Sequence, residues 1–185
     1  MIFVKDVLKV AAALLGVENR VDAYLAGNAD EENTRVTEGL LACFQLVESE
    51  VALDYLPLIV EEQVTAKNGK IEYTSLAHTA ARVMGVFDGH GDSVAMKLTG
   101  KHIEVPAGMY VVRYAMIPKE KAIEDCIDHQ TGVSERLLAY GVAAEYCLHK
   151  GMYAEHAAWD KKYRSALCET YRSKGIQTMK ARNWV

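Results

Sequence analysis

Apolar residues at Val4, Val7, Leu8, Ala11 and Leu15 recur with the i, i+3, i+4 spacing of one helix face, and Gly16 is placed to end that helix. A polar segment follows, with Gly27-Asn28 and Asp30-Glu31-Glu32-Asn33. Over residues 34–55 the only glycine is Gly39, there is no proline, and Val36, Leu40, Phe44, Val47, Val51 and Tyr55 form a slowly drifting stripe. That stripe predicts a long helix ending before Pro57. The period then changes. Residues 58–65 are rich in strand formers, Asn68-Gly69 is a two-residue hairpin signal, and Lys70-Ile71-Glu72-Tyr73 resumes extended character. Residues 81–87 and 93–98 flank Asp88-Gly89-His90-Gly91-Asp92, and residues 109–114 follow the Pro106-Ala107-Gly108 turn. Four or five short antiparallel strands are expected here.

After Pro118 the pattern becomes helical again. Ser134 suits an N-cap, and Val133 before it can staple onto Leu138. Leu137, Leu138, Val142, Ala143, Tyr146 and Leu148 supply core positions as far as Lys150-Gly151, where the helix should end. Residues 152–174 predict a second long helix, and the pair an α-hairpin. The remaining residues are extended in pattern. The expected fold class is α+β: a helical bundle or α-hairpin body (residues 1–56 and 118–175), an inserted antiparallel β module (57–117) and an extended basic C-terminal tail (176–185). The chain carries no internal repeat and no low-complexity segment.

Composition leaves this picture in place. At 185 residues, half of them hydrophobic and a quarter charged, one core can bury about 70% of the surface of the unfolded chain, so neither disulfides nor a structural metal is needed. No apolar run approaches the about 18 residues of a membrane span, and the start turns charged at Lys5-Asp6, so neither a secretion signal nor a membrane span is expected. The protein should be soluble and intracellular when made. Cys43, Cys126, Cys147 and Cys168 are too far apart for a Cys-x-x-Cys motif and are expected as buried or half-buried free thiols. Charge is unevenly spread: residues 1–64 carry a net −8, residues 65–160 a net −2 and residues 161–185 a net +6. Such asymmetry steers association with an acidic partner or a phosphate backbone, or marks a solvated terminal helix.

The chain is poor in catalytic motifs. Gly89-His90-Gly91-Asp92-Ser93-Val94 starts like a dinucleotide fingerprint, but Val94 stands where the third glycine belongs and strands should follow, so a hairpin turn is expected. Neither a P-loop nor a Gly-x-Ser-x-Gly elbow is present. Glu145, Cys147, His149, Tyr153, Glu155, His156 and Asp160 cluster on the α-hairpin. Cys147 lies about 200° round the helix from Glu145, however, and no histidine has Glu three positions before it, so a ferritin-like site is not formed. Asp125, Asp128 and His129 are expected as charged loop residues rather than an acid/base group. No catalytic residue, cofactor or metal is assigned. A small helical-bundle metalloenzyme is kept as the alternative of a different class.

The tail is the exception. Met179-Lys180-Ala181-Arg182-Asn183-Trp184-Val185 is a basic peptide with apolar residues and nothing after it to cover them. Trp and Arg are enriched in interface hot spots, and an extended peptide of this kind lies in a groove, adds to a sheet edge, or docks back onto its own body.

Val133-Ser134-Glu135-Arg136-Leu137-Leu138-Ala139-Tyr140-Gly141-Val142-Ala143-Ala144-Glu145-Tyr146-Cys147, then Gly151-Met152-Tyr153, Trp159-Asp160-Lys161-Lys162-Tyr163 and the ending Met179-Lys180-Ala181-Arg182-Asn183-Trp184 resemble the neck or head-to-tail connector (adaptor) proteins of tailed bacteriophages. The resemblance covers most of the chain, although the β insertion departs from the smaller, purely helical members. It implies a virion structural protein, made in the host cytoplasm and placed in the neck between capsid and tail. About a dozen copies would form a homo-oligomeric ring under the portal, of the kind that head-to-tail contacts generate. Its partners would be the portal protein, tail or neck proteins and further copies of itself. DNA passing through the channel would make only transient, non-specific contact, since a net charge of −4 and the lack of a basic recognition helix argue against sequence reading. Portal binding carries over to Ile176, Met179, Lys180, Arg182 and Trp184. A tail-completion protein of the same neck region is the neighbouring alternative.

Overall fold

The computed structural model describes residues 1–129 and 132–174, with side chains as far as residue 170. The fold is α+β, with five helices and two small antiparallel sheets among the described residues. The chain divides into two compact units, Met1–Glu48 together with the chain from Glu120 onward, and Ser49–Lys119.

In the helical unit, α1 (Val4–Leu15) buries Val4, Val7, Leu8, Ala11 and Ala12, the face set by its spacing. Its first amides have no side-chain cap. Instead Val4 and Lys5 donate to the carbonyls of Asp125 and Ile123, at 2.9 and 3.0 Å, which satisfies two of the orphan donors of a helix start. Gly16 ends the helix in the left-handed region at φ 70°. A short helix absent from the sequence reading follows, α2 (Glu18–Leu25), whose one buried residue is Val21. One anchor gives no readable stripe. α3 (Glu31–Glu50) is capped by Asp30, whose carboxylate accepts from the Asn33 amide at 2.7 Å. The long helix predicted over residues 34–55 changes character at its end. Residues 51–55 widen into a π-type turn, closed by the Leu56 amide donating to the Val51 carbonyl.

α4 (Glu135–His149) begins at Ser134, whose hydroxyl accepts from the Leu137 amide at 3.1 Å, and turns through Gly151 (φ 72°) into α5 (Tyr153–Lys174). α4 is buried nearly all round, with Leu137, Leu138, Ala139, Gly141, Val142, Ala143, Ala144, Tyr146 and Cys147 inside. It packs on α1 and α5. At Gly141 a Cβ would come within 2.7 Å of Val47 Cγ1 on α3 and 3.0 Å of Tyr163 Cε2 on α5. Gly39 on α3 is looser, with 3.4 Å to the Tyr146 ring.

In the second unit, β1 (Leu58–Ala66) and β3 (Ala80–Phe87) flank β6 (Gly108–Met116), all antiparallel. A second sheet places β5 (His102–Glu104) between β2 (Lys70–Glu72) and β4 (Lys97–Leu98). Asn68-Gly69 forms the expected tight turn with both residues at positive φ. β1 and β2 nevertheless enter different sheets, joined only by a Lys67–Lys70 bridge. Alternation on β6 sends Tyr110, Val112 and Tyr114 inward onto Ile71, Val86 and Ile103, so the two sheets share one core. The region 93–98 is strand only at Lys97–Leu98, with a single further bridge from Ser93 to Phe87.

The close approach at Gly141 predicts opposite signs for two like substitutions. Gly141→Ala gains helix propensity but drives a methyl into a stiff β-branched neighbour, and should cost about 1–2 kcal/mol. Gly39→Ala should stabilise by about 0.5 kcal/mol. Urea unfolding of the two variants beside the parent measures both.

Candidate functional site

The residues expected to contact the portal, Ile176, Met179, Lys180, Arg182 and Trp184, lie outside the described residues. The other candidates can be placed. In the Asp88–Asp92 segment the Asp88 carboxylate accepts from the amides of His90 and Asp92, each at 2.9 Å, and these bonds hold it below its usual range. Gly91, at φ 87°, completes the turn.

The polar residues of the α-hairpin are dispersed over different environments. The His156 ring donates through Nδ1 to the Ala144 carbonyl at 2.9 Å, bracing α5 against α4. Asp160 pairs with Arg164 at 2.8 Å, one turn along α5. Cys147 is buried, and burial raises its thiol. Tyr153 is exposed, whereas Tyr163 is core and Trp159 is half-buried. Among the described residues no group of three or more His, Cys, Asp or Glu side chains is placed to hold a metal ion.

Asp125 and Asp128 tie down the segment before α4. The Asp125 carboxylate accepts from the Ala122 amide at 2.7 Å, and Asp128 pairs with the largely buried Lys121 at 2.6 Å. His129 is buried. Beneath them is a group that the sequence reading missed: Glu48, 1% exposed, accepts from the Asp128 amide at 3.2 Å. Burial pushes its carboxyl up to about 7, while that hydrogen bond and Lys121 pull the other way. Glu48 stands four residues after Phe44 and three before Val51, on the buried stripe of α3, whereas the exposed Glu38 is two residues from Val36 and from Leu40 and lies off it, so helical spacing was the signal that could have found it.

Two surface features of the helical unit have the chemistry of recognition. The first joins α4 to α5. Tyr140 and Trp159 stack with ring centroids 5.9 Å apart and planes 24° apart. Lys162 lies 4.1 Å over the Trp159 ring, and Arg136 5.6 Å over the Tyr140 ring. The aromatic faces are thereby covered by cations, a cluster whose α4 and α5 halves are 19 and more residues apart in sequence. The second is a cleft of about 320 Å³ between α3 and α4. Ala42, Cys43 and Leu46 line one side, and Glu145, Leu148 and His149 the other. Leu46 and Leu148 are large apolar side chains left 62% and 43% exposed on this cleft. Cys43 forms its floor, with the thiol pushed up to about 11 by burial and by Glu145.

No known family model matches the chain, and no curated protein matches it in sequence. Among the described residues no helix is long and apolar enough to cross a membrane.

Two measurements follow from these environments. The Glu48 carboxyl keeps its proton up to about pH 7 in the native state, but loses it near the ordinary 4.5 when unfolded. The native state therefore binds more protons across that window, and stability should fall by about 2–3 kcal/mol as pH rises through it. Glu48→Gln should flatten this slope and raise stability at pH 8, as read by denaturant unfolding at pH 5 and pH 8. Of the thiols, exposed Cys168 should react with a maleimide at the rate of a free peptide, with Cys43 and Cys147 protected until unfolding. Mass mapping of the labelled peptides distinguishes them.

Proposed function

We propose that this chain is a non-enzymatic head-to-tail connector of a tailed bacteriophage. In this role it forms a ring below the portal, joins capsid to tail and leaves a channel for DNA. The reading begins in the resemblance of residues 133–147, 151–153, 159–163 and 179–184. The observation that carries it furthest is the exposure of α5. Among its described side chains only Tyr163 and Leu167 are buried. A helix this long with so narrow a buried face leaves most of its described surface open to a neighbouring copy.

Assembly is the mechanism. Residues 161–185, with net +6, follow a segment of net −8 over residues 1–64. Opposite charge on different surfaces of one chain favours a contact in which one surface meets another on the next copy. Repeated around a ring, contacts that are weak singly hold together through effective concentration. The tail residues Ile176, Met179, Lys180, Arg182 and Trp184 would anchor the ring on the portal, with Trp184 as the apolar anchor and Arg182 and Lys180 as the charged ones.

A tail-completion protein is supported by one separate observation in the β unit. The outer face of the β1-β6-β3 sheet leaves Ile59, Met84 and Met109 exposed around the Arg113–Glu61 pair, a surface suited to a tail-side neighbour.

Native mass measured alone and with the portal protein of the same phage tests the reading, for the full chain and for a chain ending at Lys174. A ring of about twelve copies that needs both portal and tail is expected. Trp184→Ala should weaken the portal complex by about 2 kcal/mol, roughly thirtyfold. A chain that ignores the portal in both forms would overturn the connector in favour of tail completion.

A further inference from the structure

We infer that the cleft between α3 and α4 is a docking site for the C-terminal segment, residues 176–185, of a second copy of this chain. The cleft holds the buried Cys43 as its floor, walls of Ala42, Leu46 and Leu148, and the carboxylate of Glu145 at its edge. Leu46 and Leu148 are the two large apolar side chains on its rim, and both stand open to solvent. The volume of about 320 Å³ lies at the lower end of the range for sites that take a bound group. It admits one or two side chains of a peptide rather than a whole domain.

The occupant is argued from charge, from apolar spacing and from reach. On α3 the exposed Glu38 stands one turn before Ala42, and Glu145 lies on the α4 side with Lys150 also near Cys43, so carboxylates outnumber ammonium groups beside the cleft. The tail is its complement, with Met179 and Trp184 set among Lys180 and Arg182 and no acidic residue after Glu169. Apolar anchors with flanking cations meet an apolar slot with flanking carboxylates.

Reach decides between the same copy and another. The cleft is at the His149 end of α4, beside the turn into α5, whereas the tail begins at the far end of α5. α5 has 22 residues, which span about 33 Å at 1.5 Å each. The eleven residues after Lys174, fully extended, span about 36 Å. Within one copy the tail would be used up in travelling back along α5, and Met179 would stop well short. Between two copies no length is lost, and Trp184 can lie in the cleft with Arg182 beside the carboxylates at its edge. The contact is head-to-tail, one copy's tail in the next copy's cleft, and so propagates. It goes beyond the connector reading, since it requires no portal and gives the same tail residues a second site, for which the portal would compete.

Mixing of complementary variants of the full chain tests this. Leu46→Asp spoils the cleft at an exposed position and leaves the tail intact, whereas Trp184→Ala spoils the tail and leaves the cleft intact. Native mass and sedimentation of the parent should rise with concentration, and each variant alone should associate about tenfold or more weakly. The two variants mixed should form a heterodimer and stop there, because that pair retains one working contact. An excess of a synthetic peptide of residues 175–185 should dissociate the parent. Far-ultraviolet circular dichroism of both variants should match the parent. A parent that stays monomeric up to millimolar concentration overturns the proposal, even if it binds the portal. So does association that survives both substitutions, or variants that fail to complement each other. A chain that self-associates in this way yet ignores the portal would instead support the cleft and sink the connector.

Discussion

The backbone of α4 at Gly141 lies so close to Val47 of α3 and Tyr163 of α5 that no side chain fits between them. The rest of the helical unit depends on that approach. Small residues at 139, 141, 143 and 144 make α4 a thin rod, which α1, α3 and α5 can all reach. Burial on nearly every side makes α4 the centre and its neighbours the periphery. A peripheral helix then needs only a narrow buried face. Among the described side chains of α5 this is Tyr163 and Leu167, braced by the His156 contact and the Tyr140–Trp159 stack. The outward faces of α3 and α5 are therefore left available by the same packing that holds the unit together.

The β unit solves a different problem, that of closing a core with short strands. Its inward residues come from all of its long strands, and Tyr114 shows how polarity is managed there. The ring is buried, while the hydroxyl donates to Glu62 at 2.8 Å, and Glu62 also accepts from the Ala77 amide. One carboxylate thus ties β1, β6 and the loop before β3. The β3 edge is irregular, with register shifts between Ala80 and Arg82 and between Val83 and Gly85. Such shifts twist an edge strand out of register with any would-be partner.

Local signals in the sequence were legible where one residue settles the geometry. Gly16 and Gly151 end helices, Ser134 caps α4 and Asn68-Gly69 makes its turn because each satisfies a backbone need on its own. Elements with few anchors were not. α2 has Val21 alone, and β5 is three residues with only Ile103 buried. The splitting of β1 and β2 between sheets is a tertiary choice, since the turn joins them equally well in either arrangement. Residue environments were harder still. Cys168 is exposed where a half-buried thiol was expected, because α5 buries so little. Glu48 is buried because it falls on the stripe of α3, four residues after Phe44, although its residue type argues for exposure, and the cation-covered aromatic pair joins residues of two helices. The expected portal residues lie outside the described residues, so they rest on the resemblance and on the chemistry of the peptide.

The cleft and the exposed α5 bear on how such a chain could assemble without aggregating. A large open apolar patch would bind indiscriminately. Leu46 and Leu148 instead form a small slot edged by Glu145, whereas α5 presents mainly polar and small side chains to solvent. Neither surface is sticky alone. In the proposed assembly each would meet a partner of matched shape and charge, and a single contact of this size gives only weak affinity. Weak contacts are an advantage in a closed assembly, because misplaced copies leave before the array closes, and closure supplies the persistence that no single contact has. The packing at Gly141 thus bears on assembly at one remove: by drawing α3, α4 and α5 together it fixes both walls of the slot, so the geometry that a neighbour meets is set by the core and not by the neighbour.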